Sequence, residues 1–185
     1  MKKIAIMVAN KSEEMEIIIP ADLWRRAGLD VQIISVEKKK NIVLQHGVRI
    51  SCDDNLIKEN LSKYNAIYLP GGKGHINFLD EACDKLKSHL TKMAANINLH
   101  IFAVCAAPKV LNELKLIENI QVTIYPGLEQ EVAHYVDQDV VIDKNFITAK
   151  GPGVMIDFAL TVIEKLASRQ IAEKVASQIL YKYWK

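Results

Sequence analysis

Cys105 stands at a boundary that suits a nucleophile. The residues before it, Leu99-His100-Ile101-Phe102-Ala103-Val104, form an apolar strand-like run, and Ala106-Ala107-Pro108 open a helix-compatible segment at once. A strand that turns directly into a helix holds the residue at the turn at the mouth of an α/β sheet. It also aims the thiol at a helix N-terminus, where unpaired N–H groups favour the thiolate. Such a thiol can attack an electrophilic carbon or be oxidised itself.

A second group with chemical potential is Glu16. It follows Ser12-Glu13-Glu14-Met15 and precedes Ile17-Ile18-Ile19-Pro20, which points it inward among apolar residues. Desolvation disfavours a buried carboxylate, so Glu16 is expected to hold a proton and, beside Cys105, to shuttle it. Glu13 and Glu14 read as cap and dipole partners of the same first turn. Pro70-Gly71-Gly72 follows another apolar run. It is either a tight turn that needs glycine or a source of backbone N–H groups for an oxyanion, paired with the N–H of Ala106.

Several chemistries are disfavoured. Lys73 is followed by Gly74, so no Gly-Lys-Ser/Thr phosphate loop occurs, and no G-x-G-x-x-G follows the first strand. No nicotinamide, flavin or other organic cofactor is therefore expected. Cys52, Cys83 and Cys105 are spaced unlike a metal site, and no metal is expected. A thiol nucleophile usually works with a histidine. Five are present, at 46, 75, 89, 100 and 134, and sequence does not choose among them; His75 and His134 lie in segments that could approach the thiol.

The elements that must position these groups alternate along the chain. Strands are expected at Ile4–Ala9, Val31–Val36, Ala66–Leu69, Leu99–Val104, Val122–Tyr125, Val140–Asp143 and Phe146–Ala149, with a hairpin from Ile42–Gln45 and Val48–Ser51. Helices are expected at Glu13–Arg26, interrupted awkwardly by Pro20 and closed by Gly28, and at Asp54–Leu61, Phe78–Met93, Val154–Leu166 and Ile171–Tyr183. A short helix follows the elbow as far as Leu114. Trp24 is compatible with either a core or an interface position. Buried strands alternating with helices imply an α/β three-layer fold with a mainly parallel sheet, whose ligands bind beyond the carboxyl ends of the strands. The loops after Ala9, Leu69 and Val104 should converge there.

With 185 residues the chain is read as one domain, 1–185, large enough to bury its own core. A formal charge of +2 gives no footing for nucleic acid, and Lys38–Lys40 reads as a solvated turn. No apolar run is long enough to span a bilayer, and the start of the chain is unlike a secretory leader, so a cytoplasmic protein with reduced thiols is expected.

Five motifs in order resemble the DJ-1/ThiJ/PfpI superfamily, and its DJ-1 and bacterial YajL branch in particular: Ser12-Glu13-Glu14-Met15-Glu16 with Ile19-Pro20, Arg25-Arg26-Ala27-Gly28, Leu69-Pro70-Gly71-Gly72, Val104-Cys105-Ala106-Ala107-Pro108 and Lys150-Gly151-Pro152-Gly153. The resemblance implies a flavodoxin-like sandwich, a homodimer, Cys105 as nucleophile and Glu16 as its protonated partner. It implies an anion pocket from the backbone of Gly71, Gly72 and Ala106, with Arg26 nearby. The family's second basic residue, usually arginine, falls at His46. Tyr125 stands where many relatives carry a histidine before a proline, which leaves it only a hydrogen-bonding role at the pocket edge. Ala106 replaces the histidine that follows the cysteine in protease-like members, so peptide hydrolysis is not expected. Relatives imply two functions that sequence does not separate. One is cofactor-independent chemistry on a small aldehyde or oxoaldehyde, as a glyoxalase or deglycase; the other is a redox sensor or chaperone that uses oxidation of Cys105.

Overall fold

In the computed structural model, which describes residues 1–182, seven strands build one sheet. They are β1 (Lys3–Val8), β2 (Asp30–Ser35), β5 (Asp54–Asn55), β6 (Ala66–Leu69), β7 (His100–Val104), β8 (Val140–Asp143) and β9 (Phe146–Ala149). Their order is β5-β2-β1-β6-β7-β9-β8, and every pairing is parallel except β8 with β9. A separate antiparallel hairpin joins β3 (Asn41–Val43) to β4 (Arg49–Ser51). The helices are α1 (Glu14–Arg26), α2 (Asp84–Ala94), α3 (Pro108–Glu113), α4 (Met155–Leu166) and α5 (Arg169–Gln178).

Successive residues of a strand face opposite sides, so a central strand buried on both must be apolar throughout. In β1, Ile4, Ile6 and Val8 pack with α1, α4 and α5, while Ala5 and Met7 pack with α2 and α3. The fold is therefore an α/β flavodoxin-like sandwich of three layers. On the first side Trp24, Tyr68, Phe102 and Phe158 form an aromatic cluster with ring centroids 5.3 to 6.3 Å apart. Trp24 is fully buried there, donating its indole N–H to the Ala159 carbonyl at 3.1 Å. The core position is thus the correct one of its two readings.

Three expected elements differ. The segment 54–61 forms β5 and a turn in place of a helix, because Asn55 accepts from the N–H of Lys58 through its side chain and of Glu59 through its carbonyl. Lys85 of α2 then reaches across to donate to the carbonyls of Leu56, Ile57 and Glu59, the first two of which a helix there would have used internally. Lys85→Met keeps the aliphatic stem and removes these donors; a loss of about 1 kcal/mol, or about 3 °C in melting temperature, is expected by calorimetry. The helix expected from Phe78 starts only at Asp84, after 3-10 turns over Lys73–Leu79 and Glu81–Cys83. Val122–Tyr125 does not join the sheet: Val122 bridges to Tyr135, and the Thr123 N–H is taken by the Thr148 hydroxyl. The last helix ends at Gln178, and Tyr183 lies outside the described residues. No helix among the described residues is long and apolar enough to cross a membrane.

Candidate active site around Cys105

β1, β6 and β7 are adjacent and parallel, so the loops leaving their carboxyl ends meet. Ser12 pairs with Gly72, the Glu13 N–H donates to the Gly71 carbonyl at 3.3 Å, and the elbow after Val104 packs directly on Gly71. The expected convergence of these three loops is observed. The hairpin turn joins them, for Gln45 donates its N–H to the Ser12 carbonyl and accepts from the Lys73 N–H at 2.7 Å.

Cys105 has φ of +57°, the left-handed region that a side chain occupies at a cost of about 1–2 kcal/mol. Its N–H is held by the Ala149 carbonyl at 2.9 Å and its carbonyl by the Tyr125 N–H at 3.0 Å. Neighbouring pairing thus fixes the strained elbow, and the side chain, 9% exposed, reaches the surface only through the pocket. The backbone N–H groups of Gly72 and Ala106 lie beside its sulfur and favour negative charge there. Gly72 achieves this with φ of +78°, where a Cβ would also lie 2.6 Å from the Glu13 nitrogen.

Glu16 is delivered by the first turn of α1. Glu13 caps that helix, accepting the Glu16 N–H at 2.9 Å. Pro20 has no N–H to close the helical bond to the Glu16 carbonyl, and the buried Tyr68 hydroxyl donates to that carbonyl instead, at 2.7 Å. The residue that interrupts the helix pattern therefore also ties the backbone of the key acid to β6. The Glu16 side chain is fully buried, with Oε2 accepting the Gly71 N–H at 2.6 Å. Among the described residues Oε1 has no hydrogen-bond partner, and the Cys105 thiol lies close enough to this carboxyl to influence its ionisation.

Burial pushes Glu16 up to about 7, against the partial opposition of the Gly71 bond. Burial and the Glu16 charge push Cys105 up to about 12, which the two N–H bonds only partly offset. This corrects the expectation of a thiolate favoured by a helix N-terminus. α3 has six residues, and desolvation beside a carboxylate outweighs it. The two groups share a proton: with Glu16 protonated its charge no longer opposes the thiolate, and its O–H becomes a donor to sulfur.

Two other expectations are corrected. The Gly71 N–H is spent on Glu16, so the anion-facing donors at the elbow are those of Gly72 and Ala106. Arg26 sits at the far end of α1, about 15 Å along the axis from Glu16, where it pairs with Asp22 at 2.9 Å and does not line the pocket of its own chain.

The pocket over the thiol measures about 480 Å³, and its wall includes Glu13, His46, Lys73, His75, Cys105 and Tyr125. Tyr125 stands at the edge, 47% exposed, its ring against Gly151. His75 was one of two histidines open to this role and enters the wall; its Nδ1 bonds to the Gly72 carbonyl at 2.8 Å. His46 also enters, held at Nδ1 by Glu14 Oε2 at 2.9 Å and at its backbone N–H by Oε1 at 2.6 Å. Glu14 is thus a clamp on the hairpin, 32 residues away, a pairing that local pattern cannot reveal. Ligand atoms of Glu13, Glu14 and His46 lie within 4.8 Å of one another, the closest approach to a metal-binding set among the described residues. Their bonds to each other and to the Glu16 N–H already occupy Glu14, the His46 Nδ1 and Glu13 Oε2. A second cavity, about 520 Å³ near Lys2, Leu29 and Asn65, lies at the amino ends of the strands and contains no nucleophile.

Known proteins are similar to this chain over almost its whole length. The family model described as DJ-1/PfpI family matches residues 2–165. Protein dj-1beta of Drosophila melanogaster is 33% identical, with 98% of each chain covered, and the Parkinson disease protein 7 homolog of Danio rerio is 30% identical over the same shares. A solved structure of Toxoplasma gondii DJ-1, in an oxidized form, superimposes with a TM-score of 0.92 at 30% identity, covering 99% of this chain and all of that one.

Proposed function

This chain belongs to the DJ-1/PfpI family, and from that premise we propose that it is a cysteine-dependent enzyme acting on small reactive carbonyls. The favoured reaction is the conversion of an oxoaldehyde such as methylglyoxal to its 2-hydroxy acid, without glutathione or an organic cofactor. One observation carries the reading. A fully buried acid, pushed up to about 7 by burial, sits beside a strained elbow thiol at the floor of an open pocket.

The Cys105 sulfur adds to the aldehyde carbon, and the thiol proton passes through Glu16 to the aldehyde oxygen, leaving Glu16 as the carboxylate. The N–H groups beside the sulfur favour the developing oxyanion. Glu16, as carboxylate, removes the hydrogen from that carbon; return of a proton to the adjacent ketone carbon gives a 2-hydroxy thioester on Cys105. One carbon is oxidised as its neighbour is reduced, so no external oxidant is needed. Water then cleaves the carbon–sulfur bond, releasing the hydroxy acid and the thiol. A pKa near neutrality lets Glu16 both give and take the proton.

The same chemistry extends to hemithioacetals formed from early glycation products, the deglycase reading. Peptide hydrolysis is not supported, because Ala106 offers no imidazole beside the thiol. The protein is read as a cytoplasmic stress protein that works as a homodimer. Support for a second copy comes from Met15 and Ile18 on one face of α1, and from Val43 and Val48 of the hairpin, all exposed.

A second reading has a specific observation behind it. The protonated Glu16 and the N–H groups of Gly72 and Ala106 would equally stabilise a sulfinate on Cys105, making the protein a redox sensor or chaperone. The relative from Toxoplasma gondii is described in an oxidized state. The discriminating assay measures lactate formed from methylglyoxal by the reduced protein and by Cys105→Ser. Several lactates per chain, lost in the variant, are expected. A folded, reduced protein that forms none supports the sensor.

A further inference from the structure

The walls of the pocket hold a second acid–base device, separate from Glu16. A nucleophile, an imidazole and a carboxylate that orients the imidazole form the arrangement used for acyl transfer in unrelated hydrolases. Here Cys105 and His46 line one pocket, and Glu14 grips His46 through both carboxylate oxygens, at 2.6 Å to its N–H and 2.9 Å to Nδ1. A carboxylate on Nδ1 fixes the proton there and leaves Nε2 as the basic nitrogen. The Glu14 side chain is 13% exposed and that of His46 66%, so the clamp is sheltered and the ring meets water. Hydrogen bonds to His46 hold Glu14 below the usual carboxylate range despite its partial burial.

We propose that His46, positioned by Glu14, is the solvent-side base of this pocket: its Nε2 takes a proton from the water that hydrolyses an acyl group carried on Cys105. The water oxygen bonds to the acyl carbon, the carbon–sulfur bond breaks, and the electron pair returns to sulfur. The proton on Nε2 then passes through water to that sulfur, restoring the thiol as the carboxylic acid leaves. The inference rests on the proposed carbonyl chemistry only for the identity of the acyl group.

Glu16 cannot take this part. It is fully buried, with one oxygen on the Gly71 N–H and no surface of its own open to water. His75 is the other imidazole in the wall, but only a backbone carbonyl holds its Nδ1, and no carboxylate balances the imidazolium that forms. The titratable and charged groups around His46 are Glu13 and Glu14 from the start of α1, Lys73 and His75 from the loop after β6, and Cys105 and Tyr125 across the pocket. Among the described residues only Glu14 bonds to the imidazole ring.

The test replaces the oxoaldehyde with a generic acyl donor. Cys105 is acetylated with p-nitrophenyl acetate, excess ester is removed, and loss of the acetyl group is followed by intact-protein mass spectrometry across the range in which imidazole titrates. In His46→Asn the side-chain amide keeps the bond to Glu14 but has no Nε2. It is expected to deacetylate about 100-fold more slowly and to lose the rise of rate with pH. Glu14→Gln, which loosens the hold on the His46 ring, should slow deacetylation less than His46→Asn does, and His75→Asn should keep the rise. A His46→Asn chain that deacetylates like the parent, a pH rise that disappears with His75, or a Cys105 that accepts no acetyl group would each overturn the proposal. Failure of the glyoxalase reading alone looks different: no lactate from methylglyoxal, yet His46-dependent deacetylation.

Discussion

Glu16→Gln is expected to lower lactate formation at least about 100-fold while making the folded chain more stable above neutral pH. The amide is close in size and its oxygen can still accept the Gly71 N–H, so the elbow should keep its shape. What disappears is the proton that moves between thiol, substrate carbon and carboxyl. The stability effect follows from the same burial. With a folded value of about 7 against 4.5, the unfolded chain releases this proton at a pH where the folded chain still holds it. Stability is full below about pH 4.5 and falls as pH rises toward about 7, by about 3 kcal/mol, after which the folded state carries a buried charge. The amide introduced by Glu16→Gln has no charge to bury, so the variant should lack that slope. Urea unfolding of both proteins at about pH 4.5 and just above about pH 7 reads the effect. A variant that keeps the slope would place the titration on another group.

Gly71→Ala should disable the site, because the added methyl strikes the nucleophile itself. A Cβ there would stand 2.6 Å from Cys105 Cβ, 3.0 Å from its Sγ and 3.0 Å from the Ala106 nitrogen. None of these neighbours is the free end of a flexible chain, so the elbow itself must move. The backbone of Gly71 is not left-handed, which makes the effect steric and not conformational. A displacement of about 1 Å costs catalysis about 100-fold, and overpacking costs about 1–3 kcal/mol. The rate of Cys105 alkylation by iodoacetamide, together with the melting temperature, measures both. Gly153→Ala, whose Cβ meets nothing within 4 Å, is the control. Unchanged alkylation in Gly71→Ala would mean that the elbow is far more yielding than its contacts indicate.

The parts of this protein legible in the sequence are those fixed by local pattern. β7 and its elbow were legible because an apolar run gives way to small residues at Cys105, and the positive φ there is the physical consequence. Glu16 was legible as an acid pointed into an apolar stretch, and its burial and raised pKa bear that out. The ionisation of Cys105 was not, because it depends on how much water the folded pocket excludes and on a carboxyl far away in the sequence. The segment 54–61 carries helix-compatible spacing, but the side chain of Asn55 and the ammonium of Lys85 claim its backbone groups.

Long-range pairings account for the rest. Nothing local predicts that Tyr68 would satisfy the carbonyl freed by Pro20, or that Glu14 would hold His46. A signal for the first existed, since a proline four residues after the acid leaves that acid's carbonyl needing a donor. For Arg26 the motif carried over a residue type but not a location. The helix that delivers Glu16 to the pocket necessarily carries residue 26 away from it.

The central claim, that Cys105 and Glu16 together turn an oxoaldehyde into a hydroxy acid, is tested most directly by carbon-13 NMR of labelled methylglyoxal with the reduced protein. Cys105→Ser and Glu16→Gln are run beside it. The account predicts that label accumulates as lactate well beyond one equivalent per chain, not at all with Cys105→Ser, and only slowly with Glu16→Gln. Label that remains as free hydrate, or ends on lysine and arginine side chains equally in all three proteins, would contradict it.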